Sequence, residues 1–134
     1  MERSDERFTL DDVRSAVVRL DIEGEDGFVL SGESSMDQIS RDPADLVAQA
    51  TSHHHYPDGF ALFLGTMFAP TQDRDAPGQG FTHKRGDIVR VSTPQLGTLE
   101  NKVAAAGEAP PWSFGISDLM RNLARRGLLE GAVS

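Results

Sequence analysis

Apolar and polar positions alternate early in the chain: Ala16, Val18, Leu20 and Ile22 share one parity, and Val17, Arg19 and Asp21 fall between them. A period of two is the pattern of a strand with one buried face. Phe28 and Leu30 alternate with Val29 and Ser31 after Glu23-Gly24-Glu25-Asp26-Gly27, whose two glycines suit a turn, so the pair predicts an antiparallel hairpin. Asp42-Pro43 then sets a capping carboxylate before a proline at the first helical position, and Leu46, Val47 and Ala50 give the helix that follows an apolar side. Pro57-Asp58-Gly59 supplies a turn after that helix. Phe60 to Leu64 are apolar without interruption, as in a strand buried on both sides, and the run ends at Gly65-Thr66.

From Met67 to Arg85 the pattern predicts a long loop, a length usually associated with function or mobility. Gly86-Asp87 leads into the alternating run Ile88 to Ser92. Pro94-Gln95-Leu96-Gly97 makes a turn before Thr98 to Val103, which predicts a second hairpin. Ala104 to Pro111 reads as a linker. Ile116, Leu119, Met120 and Leu123 fall at i, i+3, i+4 and i+7, an amphipathic helix ended near Gly127. Turns rather than helical crossovers join most of the strands, so the expected class is α+β, a β-rich mixed fold. The polar residues 1–12 are expected to be frayed and residues 13–134 to form one domain.

Composition narrows the function classes. The chain has 134 residues, a formal net charge of −8 and no cysteine. The acidic excess lies in the first 58 residues, and nucleic-acid binding would need a concentrated basic stripe, so that partner is not expected. Arg121, Arg125 and Arg126 instead suit the last turns of a helix, where the dipole favours cations. Without cysteine there is no disulfide, thiolate zinc site or Cys nucleophile, which fits a reducing compartment. No apolar run reaches the roughly 18 residues of a membrane span and no leader pattern follows Met1, so a cytoplasmic protein with no membrane partner is expected. Neither GxGxxG nor GxxxxGK[ST] occurs, which argues against a nucleotide cofactor.

Several residues invite a chemical reading. His53-His54-His55 offers three imidazoles, but adjacent residues on a helix diverge by about 100°, so a polar helix end is the better explanation. Glu23-Gly24-Glu25 has the carboxylates of a hard-cation site but sits in a hairpin turn, where solvated acids need no further role. Asp73-Arg74-Asp75 lies in the long loop, where it could gate a site, but a solvated charge run is the better explanation. Gly65-Thr66 fits two readings equally: a tight strand exit, or a strand end that delivers a glycine letting a ligand approach the backbone, followed by a hydroxyl donor.

Tyr56 to Thr66, Phe68-Ala69-Pro70-Thr71-Gln72-Asp73-Arg74, Gly86 to Pro94 and Leu96-Gly97-Thr98-Leu99-Glu100-Asn101 together resemble the C-terminal part of the fumarylacetoacetate hydrolase family. The branch it is most similar to includes dehydratases of 2-keto-3-deoxy sugar acids. The resemblance covers most of the chain and implies a β-rich α+β fold and a metal-dependent lyase or hydrolase acting on 2-oxo acids, by dehydration or C–C bond hydrolysis. It further implies Mg²⁺, or Mn²⁺ or Ca²⁺, as the cofactor of the intact enzyme, and a homodimer or association with an N-terminal half as the assembly. Such an ion would polarise the keto oxygen and offset the charge that develops on it. Gly65 and Thr66 match the family's turn that holds the substrate carboxylate, and they are the site residues the resemblance assigns. The family's Glu-x-Glu pair, further metal-binding Asp, and catalytic Lys and His belong to an upstream half with no counterpart here. No catalytic residue or metal ligand is therefore assigned, and the chain is expected to act as roughly the last third of a longer enzyme, inactive alone. The alternative expectation is a non-catalytic binding or dimerisation module derived from that fold.

Overall fold

The computed structural model describes residues 7–65 and 68–129. In chain order the elements are α1 (Leu10–Arg14), β1 (Val17–Glu23), β2 (Val29–Ser35), α2 (Pro43–Thr51), β3 (Ile88–Thr93), β4 (Gly97–Lys102) and α3 (Ile116–Arg125). Short 3-10 turns span Met36–Gln38 and Ala106–Glu108. Two compact units result, one running to Val103 and the other beginning at Ala104.

The first unit is built on one antiparallel sheet of order β2-β1-β3-β4. Both expected hairpins form. Residues directly opposite across antiparallel strands share a face, so the register sorts the sheet into two surfaces. Leu30, Ile22, Val89 and Asn101 make one row of the first face, and Gly32, Leu20, Val91 and Leu99 make the next. On the opposite face run Ser31, Asp21, Arg90 and Glu100, then Glu33, Arg19, Ser92 and Thr98. The alternation seen in the sequence is thus an apolar face and a polar, charged one.

The core lies on the apolar face toward its β1–β2 side, where Ile22 and Leu30 are buried together with Phe8, Ala16 and Met36. Phe68 comes down on this face at Gly32, where any Cβ would overlap the phenyl ring. Cover is thinner on the other side of the face: Leu99 of the edge strand β4 remains 71% exposed.

Of residues 1–12, expected to be frayed, 1–6 lie outside the described residues, and the described part carries a helix cap. Thr9 caps α1 through a reciprocal box in which Asp12 accepts from the Thr9 backbone N–H (2.7 Å) and Thr9 Oγ1 accepts from the Asp12 N–H (3.4 Å). Such a box satisfies donors that a helix start leaves orphaned. α2 begins as the sequence indicates: the Asp42 carboxylate accepts from the Ala44 N–H at 2.8 Å and Pro43 stands at the first position. Asp42 also accepts from Arg14 Nε at 2.6 Å, so the α2 cap is tied to α1.

Phe60 to Leu64 correct a second expectation. They form no strand, all five are exposed, and Phe63 reaches 91% exposure. An apolar run becomes a buried strand only where neighbouring strands and a covering layer receive it. Only its beginning is organised: Gly59, at φ +78°, donates to the Tyr56 carbonyl at 2.9 Å, and the Tyr56 and Phe60 rings lie 4.7 Å apart.

In the second unit α3 follows its expected periodicity, with Asp118 accepting from the Gly115 N–H at 3.1 Å at the helix start. Its end is a Schellman closure: Gly127, at φ +65°, donates to the Ala124 carbonyl and Leu128 to that of Leu123, both at 3.0 Å. Arg125 sits in the last turn and Arg121 pairs with Asp118. No helix among the described residues is long and apolar enough to cross a membrane.

Candidate functional site

The two residues assigned to carboxylate binding fall at the edge of what is described. Gly65 has φ +88°, a backbone that disfavours any residue with a Cβ, so glycine is required there for conformational reasons. Thr66 lies outside the described residues. The run that leads to Gly65 is not a buried strand.

The other candidates are dispersed. His53, His54 and His55 follow the end of α2 at Ser52 and are all exposed. Glu23 and Glu25 do not converge on a common point: Glu23 pairs with Arg90 Nη1 at 2.9 Å and Glu25 with Lys102 Nζ at 3.3 Å. No group of three or more His, Cys, Asp or Glu side chains among the described residues could hold a metal ion.

The principal cluster of charge among the described residues corrects the expectation of a solvated charge run at residues 73–75. Arg74, centre of the Asp73-Arg74-Asp75 run, has a side chain only 2% exposed, and its partner Asp87 is fully buried. The pairing is a bidentate fork, Nη1 to Oδ2 at 2.5 Å and Nη2 to Oδ1 at 2.8 Å. The planar guanidinium presents parallel donors to both carboxylate oxygens, which gives geometric specificity as well as energy. Arg74 Nη2 also reaches Asp26 Oδ1 at 3.1 Å and Nη1 reaches the Thr82 carbonyl at 3.2 Å, whereas Nε is buried with no partner among the described residues. The Phe28 ring faces the guanidinium at 4.6 Å from its centroid, adding a cation–π contact in a water-poor setting.

The cluster is closed by its surroundings. Lys84 donates from its backbone N–H to Asp87 Oδ2 at 2.9 Å, and from Nζ to Asp26 at 3.0 Å and to Asp75. Asp73 turns the other way and accepts the N–H groups of Gly78 (2.7 Å) and Gly80 (2.6 Å). Phe81 packs tilted on Phe28 at 5.9 Å and edge-on to His83 at 4.8 Å, and His83 Nδ1 stands 3.6 Å from Asp87 Oδ2. Gly24 lets the hairpin turn approach, since a Cβ there would overlap both Asp26 and Arg74.

These contacts set the protonation states. Hydrogen bonding to Arg74 outweighs burial and pulls the Asp87 carboxyl down to about 2. Asp26 is held well below the usual carboxylate range, first by Arg74 and then by Lys84. Arg74 is pushed up by Asp87, and Lys84 by Asp75 and then Asp26. Asp26, Asp75 and Asp87 are thus already satisfied by cations of the chain itself, and they do not fit a divalent metal. The arrangement is a clamp that fixes residues 73–87 against the first hairpin.

The sequence held partial signals for this clamp. Gly24 and Gly86-Asp87 were visible as turn and strand entry, and an Arg between two Asp residues was visible as charge. Its pairing across 13 residues to Asp87 and 48 to Asp26 has no local signature. No protein-family model matches the chain, and no curated protein or solved structure matches it.

Proposed function

We propose that this chain is the C-terminal portion of a divalent-metal-dependent lyase or hydrolase similar to the fumarylacetoacetate hydrolase family, acting on 2-oxo acids by dehydration or C–C bond hydrolysis. The observation that carries the reading is Gly65 at φ +88° between an apolar run and a hydroxyl residue. That is the position at which the resemblance requires close approach of a substrate carboxylate to backbone. In this proposal the Gly65 turn receives the carboxylate and the Thr66 hydroxyl donates to it. The clamp of Arg74, Asp87 and Asp26 holds the far end of the same loop. When bound, the metal of such an enzyme would polarise the keto oxygen. The residues described here do not fit that ion, so its ligands belong to the upstream half in this reading, and no step is assigned to it.

Titration of oxalate, a flat mimic of a 2-oxo acid enolate, into the isotopically labelled 134-residue protein tests the proposal. Saturable shifts centred on the Gly65 amide are expected, unchanged by Mg²⁺ and weakened in Thr66→Val. Shifts absent from Gly65 and its neighbours would overturn the carboxylate assignment. Binding strengthened by Mg²⁺ would overturn the assignment of the metal site to another part of the enzyme.

A second reading, a binding or dimerisation module, is favoured by the edge strand β4, which is exposed at every residue and carries Leu99 on the apolar face. Concentration-dependent sedimentation that Leu99→Lys abolishes would select it.

A further inference from the structure

The polar face of the sheet holds a groove that the proposed function does not use. Its floor is one register row, Glu33, Arg19, Ser92 and Thr98, four side chains on the same face of four adjacent strands. Val17 and Pro94 add apolar walls, and the hollow measures about 450 Å³. A smaller hollow of about 180 Å³ shares Arg19 and Glu33. The larger volume is within the range that accommodates small organic ligands.

The charges in this row are unevenly matched. Glu33 stands directly opposite Arg19, the position from which a cross-strand ion pair is normally made. Arg19 instead turns along its own strand, donating from Nε to both oxygens of Asp21 at 2.8 and 3.1 Å. Asp21 is further held by the Ser31 hydroxyl at 2.5 Å. Glu33 accepts no hydrogen bond from any described residue. Arg19 therefore faces two carboxylates, bonds Asp21 and acts on Glu33 only through space, so the three side chains together carry one negative charge in excess, with Glu33 beside two hydroxyls and an apolar wall.

We propose that this groove binds a small organic cation, a primary ammonium on a short apolar stem, with the ammonium on Glu33 and the stem against Val17 and Pro94. The ammonium supplies the charge-assisted donor that Arg19 withholds, and the hydroxyls of Ser92 and Thr98 are available as further acceptors.

Butylammonium is the probe and butyrate, with nearly the same stem and the opposite charge, is the control. Titrated into the labelled full chain, butylammonium is expected to give saturable shifts at the amides of Glu33, Ser92 and Thr98, with a dissociation constant of order 1 mM. Glu33→Gln should weaken binding at least about tenfold, and Arg19→Gln should tighten it by removing the competing cation. Both side chains are exposed and outside the core, and retained amide dispersion verifies that the variants fold. Equal or tighter binding of butyrate, weaker binding in Arg19→Gln, unchanged binding in Glu33→Gln, or no saturable shift at tens of millimolar would each overturn the proposal. None of these outcomes depends on Gly65, so the groove and the 2-oxo-acid reading fail separately.

Discussion

Two stretches of irregular backbone lie on either side of Thr66, and they could hardly be held more differently. Phe60 to Leu64 are apolar and exposed, whereas residues 73–87 are rich in charge and organised around the buried pair of Arg74 and Asp87. Apolar character gives no order without a surface to receive it, because the hydrophobic effect is non-directional and needs area removed from water. Charge, placed where carboxylates and cations satisfy one another with good geometry, fixes a loop that has no regular secondary structure.

The largest effect in this comparison should come from breaking the clamp. Arg74→Met leaves Asp87 buried without its cation, a class of change that costs about 3–5 kcal/mol, and melting should fall by more than about 10 °C. Pairing it with Asp87→Leu should recover a large part of the loss, since an apolar pair removes both buried charges. A double variant no better than the single one would mean that the two residues do not act as a unit.

The next effect is in pH. Asp87 has a folded value of about 2 against an ordinary value of 3.8, so its contribution to stability is complete above 3.8 and is lost as pH falls through about 2. Acid unfolding followed by circular dichroism should show this slope in the wild type, and Asp87→Asn should flatten it while lowering stability at neutral pH. An identical slope in the variant would remove Asp87 from the account.

The smallest effect should be at the exposed stretch. Phe63→Ser is expected to change thermal stability by no more than about 0.5 kcal/mol, as for a surface position without special contacts. A loss of several kcal/mol, measured by denaturant titration, would show that Phe63 is covered.

Much of the fold was legible because its signals are local. The alternation of Val18, Leu20 and Ile22 marked β1, Asp42-Pro43 marked the start of α2, and Ile116, Leu119, Met120 and Leu123 marked α3. The capping of α1 was equally local, Thr9 three residues before Asp12 at the head of Leu10 and Val13, but its helix is too short for a periodic stripe. Phe60 to Leu64 were misread because an apolar run reports what a segment would gain from burial and says nothing of whether a partner strand is present. Arg74 was misread for the complementary reason: a charged run normally stays in water, and the carboxylates that bring this one inside come from distant turns. At the candidate site, the sequence offers a glycine at position 65, where the backbone has positive φ, while the groove at Glu33 has no local signal, since it depends on which way Arg19 turns within the sheet.

Native-state hydrogen exchange tests the central contrast most directly, with the amides of Gly78, Gly80 and Lys84 compared with those of Ala61 to Leu64. The three clamp amides donate to carboxylates of Asp73 and Asp87 and should be protected, with protection lost in Arg74→Met. Those of the apolar stretch should exchange near the rate of an unstructured chain. Protection of Ala61 to Leu64 equal to that of β1, or clamp amides that exchange freely in the wild type, would contradict the account.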